Sequence, residues 1–173
     1  MDQVVQSLQS LSVDTEDSLS ELEDILKYKF KSKSLLKEAI THSSNNNTES
    51  YEKLEFVGDS VLGYLVTKHL YCAYPKLYQG TLTLLRSRNV DTEKFARVCV
   101  KHKFHQYLLL NAPALQQIIE DFVKDIEDES KSFRCGDFKP PKVLADIVES
   151  IAGAVFVDCI PATVRTTGDS RNT

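Results

Sequence analysis

The sequence predicts an all-α domain, on three observations. Apolar residues recur at i, i+3, i+4 and i+7 through most of the chain, no stretch alternates apolar and polar residues between hairpin turns, and prolines fall where periodic segments start or stop. The 173 residues suffice for one domain with a real core, and neither a second full domain nor an internal repeat is visible.

The elements follow in order. Residues 1–17 are rich in Ser, Asp and Gln with weak periodicity and read as a flexible leader. Ser18-Leu19-Ser20-Glu21 has capping-box spacing, with Leu22, Ile25 and Leu26 at helical intervals behind it, so the fold is expected to begin at Ser18. A short helix carries Leu35, Leu36, Ala39 and Ile40, and Asn45-Asn46-Asn47-Thr48 reads as a loop. A long helix runs from Tyr51 to Tyr74 and is closed by Pro75. Gly80 begins another helical region, which breaks at Asn89-Val90-Asp91 before a helix over Thr92 to Lys103. Pro113 suits the first turn of a helix reaching Asp128, residues 131–140 are loop-like, and Pro141 opens the last clear helix, ending near Asp158. Residues 160–173 are polar and patternless, an irregular tail.

Composition narrows the function classes. The 42% hydrophobic and 27% charged fractions are ordinary for a globular protein, and no apolar run approaches the roughly 18 residues that a membrane span needs. With no secretory or transit signal readable, the expected setting is intracellular, nuclear or cytoplasmic. Cys72, Cys99, Cys135 and Cys159 form no Cys-x-x-Cys pair, so they are read as reduced thiols rather than zinc ligands. A net charge of -4 argues against nucleic-acid binding by net charge alone, and any basic surface must be local.

The acids carry the chemistry. On a helical wheel Leu54, Val57, Val61 and Leu65 form one arc, predicted to face the core, while Glu52, Glu55 and Asp59 stack opposite at i, i+3, i+7. The last helix repeats this, with Leu144, Val148, Ile151 and Val155 as the apolar face and Asp146 and Glu149 opposite at i, i+3. Gly153 lies on the acidic side, where a missing side chain permits close approach by a helix or a ligand. One acidic stripe is usually just solvated, but two that face each other make an all-oxygen cluster suited to magnesium or manganese. Such a site activates water and stabilises phosphoryl displacement. Phe56 falls away from the core arc, an exposed aromatic or an anchor for a partner's pocket. His42, His102 and His105 match no metal-binding spacing and are assigned structural or solvent roles.

The run Tyr51-Glu52-Lys53-Leu54-Glu55-Phe56-Val57-Gly58-Asp59-Ser60-Val61-Leu62 closely resembles the signature of ribonuclease III, the family that includes the bacterial enzyme, Dicer and Drosha. Leu35 to Ser44 is similar to the segment before that signature, and Pro141 to Ala154 looks like the second acidic motif. Asn89 to Val98 looks most like the plant ribonuclease 3-like branch. The resemblance implies the ribonuclease III helical fold over 18–159, and the polar tail departs from the family's pattern, so the fold is expected to be truncated at its last helix with no double-stranded RNA-binding domain. It implies a magnesium-dependent endoribonuclease, with manganese as substitute, that cuts both strands of duplex RNA and leaves staggered ends. Glu55, Asp59, Asp146 and Glu149 would be the catalytic metal ligands, Glu52 an accessory acid, and Phe56 the dimer-interface aromatic. Arg86, Arg88, Lys94 and Arg97, with Lys101 and Lys103, are the expected supply of phosphate contacts. Gln79 stands where some members carry an acid. The competing reading is a non-catalytic homodimer or heterodimer partner that regulates an active ribonuclease III-type chain; a di-iron bundle wants Glu-x-x-His pairs that the sequence lacks.

Overall fold

A computed structural model describes residues 16–45, 49–129 and 139–161. The helices are α1 (16–26), α2 (Lys33–Ala39), α3 (Glu52–Ala73), α4 (Gln79–Asn89), α5 (Thr92–Lys101), α6 (Pro113–Glu129) and α7 (Lys142–Cys159), with 3-10 turns at Ser43–Asn45 and Phe104–Tyr107. Among the described residues the one strand-like feature is a parallel bridge between Thr41 and Leu109. The all-α expectation holds. Most of the leader, Asn46 to Thr48, most of the 131–140 loop and residues 162–173 of the tail lie outside the described residues.

Helix ends follow local chemistry. The α1 helix already runs from residue 16, so Ser18 sits inside it and the expected capping start is corrected. Lys27 takes a left-handed φ of 53°, and its N–H and that of Tyr28 return to the carbonyls of Asp24 and Glu23, a Schellman closure. Asp91 caps α5, its carboxylate accepting from the Glu93 N–H at 2.8 Å, which explains why the chain breaks between Asn89 and Thr92. That helix ends at Lys101 rather than Lys103, because Lys103 turns left-handed at φ 60°.

The centre of the fold is α7, which packs against α2, α3 and α5. A helix with neighbours on several sides buries residues well beyond a single apolar stripe. Leu144 and Ile151 are buried as the wheel predicts, but so are Val143, Ala145, Ile147, Ser150 and Ala154 on other faces. Buried Ser150 is satisfied by donating to the Ala39 carbonyl at 2.6 Å, which ties α7 to the end of α2. Buried Asp158 accepts from the N–H groups of Lys31 and Ser32 and from the Tyr28 hydroxyl, holding the α1–α2 connection on the end of α7. Burial alone would raise the Asp158 pKa, but those donors hold it below its ordinary value.

The predicted core arc of α3 is corrected. Leu54 is buried, but Leu65 is 50% exposed, and Val57, Val61 and Leu65 line an open apolar groove of about 940 Å³. Val148, Ile151, Val155 and Phe156 of α7 form its other wall. What α3 buries against α7 is Leu54 and the backbone at Gly58. A Cβ at Gly58 would stand 1.7 Å from the Glu149 carbonyl oxygen, and one at Gly153 would stand 2.1 Å from that of Leu54. Backbone lies on backbone at this crossing, so neither collision is relieved by a rotamer change.

Gly58→Ala is therefore expected to lower the unfolding free energy by about 3 kcal/mol. Gly63, on the same helix, has nothing within 4 Å of where a Cβ would stand. Gly63→Ala is expected to raise stability by about 0.5–1 kcal/mol through helix propensity. Urea unfolding followed by circular dichroism separates the two, and equal effects at both positions would refute the close crossing.

Candidate metal centre

The glycine crossing sets the site. Glu55 and Asp59 flank Gly58 on α3, while Asp146 and Glu149 lie on the turns of α7 that precede Gly153. Oxygens of Glu55, Asp146 and Glu149 come within 4.8 Å of one another. Asp59 and Glu52 line the same cleft, of about 290 Å³, but lie outside that tightest group. The two stripes thus meet as the sequence suggested, with Asp59 at the rim and Glu52 exposed beside Ser50. Gly153 serves the close helix approach.

Two polar groups hold the cluster that sequence reasoning left unassigned. The Lys142 ammonium donates to Glu55 at 2.8 Å and to Asp146 at 2.7 Å. The Tyr51 hydroxyl, buried at the start of α3, donates to the other Asp146 oxygen at 3.2 Å. Tyr51 is itself held by its N–H to the Thr41 carbonyl at 2.9 Å, beside the Thr41–Leu109 bridge. The i, i+4 relation of Lys142 to Asp146 was a readable signal. Its reach to Glu55 and that of Tyr51 to Asp146 belong to the tertiary fold.

The electrostatics are those of crowded carboxylates. Burial first, then the negative charges of Asp59, Asp146 and Glu55, push the Glu149 carboxyl up to about 7, against a smaller opposing pull from Lys142. Burial also raises Asp146, with Lys142 and Tyr51 resisting and Glu55 adding to the rise. Three converging carboxylates with mutual repulsion fit a hard divalent cation, which takes oxygen ligands and removes the repulsion on binding.

The other predicted site residues lie around this cleft. Phe56 is 78% exposed and borders both the cleft and the apolar groove. Arg86 and Arg88 are exposed on α4, a helix with no buried residue. Lys94 and Arg97 are exposed on α5, whose first residue Thr92 reaches the cleft. The Lys94 ammonium bonds the Asn89 side chain, and Arg97 pairs with Glu93 at 3.0 Å. His42 pairs with the Ser44 hydroxyl at 2.9 Å. His105 is pushed down in pKa by burial. Neither enters the acidic cluster. Cys72, Cys99 and Cys159 are free thiols; Cys135 lies outside the described residues. No helix among the described residues is long and apolar enough to cross a membrane.

Residues 52–159 match the Ribonuclease III domain. The chain is 54% identical over 144 residues to Endoribonuclease Dicer homolog 1 of Arabidopsis thaliana, covering 79% of this chain and 8% of that protein. It is 48% identical over 155 residues to Ribonuclease 3-like protein 2 of the same plant, covering 88% of this chain and 40% of that protein. The chain therefore spans less than half the length of either relative. Among solved structures, the nuclease domain of ribonuclease III from Campylobacter jejuni superposes with a TM-score of 0.61 at 29% identity, over 80% of this chain and 84% of that one. That bacterial domain shows structural flexibility in a region involved in dimer formation.

A carboxyl whose pKa rises on folding binds more protons in the native than in the unfolded state between about 4.5 and 7. Its penalty therefore grows as pH rises through that window and is complete above it. In EDTA, Glu149→Gln is expected to be more stable than the parent at pH 8 by on the order of 1 kcal/mol, discounted for a half-exposed side chain. The gap should close as pH falls towards 5. Paired urea titrations at the two pH values measure it, and a gap that widens on acidification would contradict the crowding.

Proposed function

Because the chain belongs to the ribonuclease III family, we propose that it is a metal-dependent endoribonuclease that hydrolyses one phosphodiester in each strand of duplex RNA and leaves staggered ends. The observation that carries this reading is the convergence of Glu55, Asp146 and Glu149 across the α3–α7 crossing. Bound there, magnesium, or manganese in its place, would supply a water activated for attack and positive charge against the phosphoryl group. Glu55, Asp146 and Glu149 would hold it, with Asp59 completing the set from the rim and Glu52 assisting as an accessory acid. Tyr51 fixes the orientation of Asp146, one of the ligands.

Holding RNA needs local cations on a chain of net charge -4. Residues 60–90 contain no Asp or Glu and carry Lys68, Lys76, Arg86 and Arg88, so the second half of α3 and all of α4 form an arm of one sign. Arg86 and Arg88, with Lys94 and Arg97 on α5, are the groups we assign to the phosphate backbone. Cutting both strands needs two centres, and the apolar groove supports pairing with a second ribonuclease III-type chain, the same or different. Phe56, on the lip of that groove, would enter the partner's groove. Such RNA processing would take place in the nucleus or the cytoplasm.

Purified chain is expected to cut long duplex RNA with magnesium and not with EDTA. Asp59→Asn and Glu149→Gln should each reduce cutting by orders of magnitude while the fold survives, since each removes a ligand charge and little volume. A folded parent that leaves duplex RNA intact would favour a non-catalytic partner instead. For the pairing, Phe56→Ala should weaken self-association by about 2 kcal/mol or more, roughly thirtyfold in dissociation constant. Light scattering over a concentration series reads this directly, and an unchanged constant would remove Phe56 from the interface.

A further inference from the structure

Lys142 bonds two of the three carboxylates that a divalent ion would need. Its ammonium lies 2.8 Å from Glu55 Oε1 and 2.7 Å from Asp146 Oδ1, and both residues belong to the converging three. The lysine side chain is 70% exposed, whereas those of Glu55 and Asp146 are 24% and 7% exposed. It therefore reaches from solvent onto carboxylates that are already sheltered. It stands on the first residue of α7, four positions before Asp146, and a side chain that exposed can leave by rotating alone.

We propose that Lys142 is a tethered counter-cation that competes with the divalent ion for Glu55 and Asp146, so that metal entry displaces its ammonium. This rests on the metal-centre reading above. A carboxylate lone pair committed to an N–H donor is not open to a metal, and a doubly charged ion repels an ammonium beside it. Without metal, the ammonium offsets the repulsion among Glu55, Asp146 and Glu149 and keeps the cluster assembled. Lys142 thus stabilises the metal-free chain and raises the metal concentration at which the centre fills. A lysine that served only packing, or only RNA contact, would leave metal affinity in the absence of RNA unchanged.

The test is manganese binding to the full chain without RNA, read from the paramagnetic resonance of free Mn²⁺. Lys142→Gln is expected to bind roughly fivefold to tenfold more tightly than the parent, and its melting temperature in EDTA should fall. Lys142→Arg, which keeps the charge, should bind no more tightly than the parent. Equal or weaker binding by Lys142→Gln beside a parent that binds would overturn the competition alone, as would a gain in Lys142→Arg. If neither the parent nor Lys142→Gln binds Mn²⁺, the metal-centre reading fails and this proposal with it. The unmutated chain gives a second reading that needs no variant: magnesium should shift the side-chain nitrogen resonance of Lys142, and a resonance unmoved at saturating magnesium would also overturn it.

Discussion

The contact on which the rest depends is the bare backbone crossing of α3 on α7 at Gly58 and Gly153. Packed helices ordinarily stand about 8–10 Å apart, separated by their side chains. Here each helix lacks a side chain where it meets the other, and a Cβ on either glycine would enter a carbonyl oxygen of its neighbour. Glu55 and Asp59 flank one glycine, and the Glu149 carbonyl is the atom the other helix presses against it. The contact that closes the backbones is thus the one that closes the carboxylates. Separating the helices by one methyl layer would leave each acidic stripe an ordinary solvated face.

That arrangement opposes stability. A half-buried glutamate pushed up to about 7 by burial and then by its acidic neighbours is a standing cost in the metal-free chain near neutral pH. The fold offsets it locally with the Lys142 ammonium and the Tyr51 hydroxyl, and elsewhere by satisfying every other buried polar group noted on α7. Ser150 donates to Ala39, and Asp158 accepts from three donors. The central helix therefore concentrates its uncompensated charge in one place, where a divalent cation is the natural complement. The apolar groove on the other flank of α3 begins at Phe56, so the groove and the acidic cleft share a residue.

Much of this was legible in the sequence because it is local. The acidic stripes are set by i, i+3 and i+7 spacing, the break before α5 by a capping aspartate at position 91, and the outward direction of Phe56 by its place on the wheel. What was not legible depends on what lies across from a residue. The wheel sorts Val57, Val61 and Leu65 onto one apolar arc, but a wheel cannot distinguish a face that meets a core from one that meets an open groove. On a wheel α7 is two-sided, whereas neighbours on several sides bury Ala145, Ile147 and Ala154 as well. Ser18 has the spacing of a cap, yet the helix begins upstream of it. The contact of Lys142 with Glu55 and that of Tyr51 with Asp146 stay hidden in the sequence because they join residues 87 and 95 positions apart.

The central claim is that two stripes, each ordinary alone, form one metal centre at the glycine crossing. Anomalous diffraction from crystals soaked in manganese tests it most directly. The account predicts a peak bounded by Glu55, Asp146 and Glu149, with Asp59 within reach. A fully occupied manganese elsewhere on the chain, with none at this crossing, would contradict it.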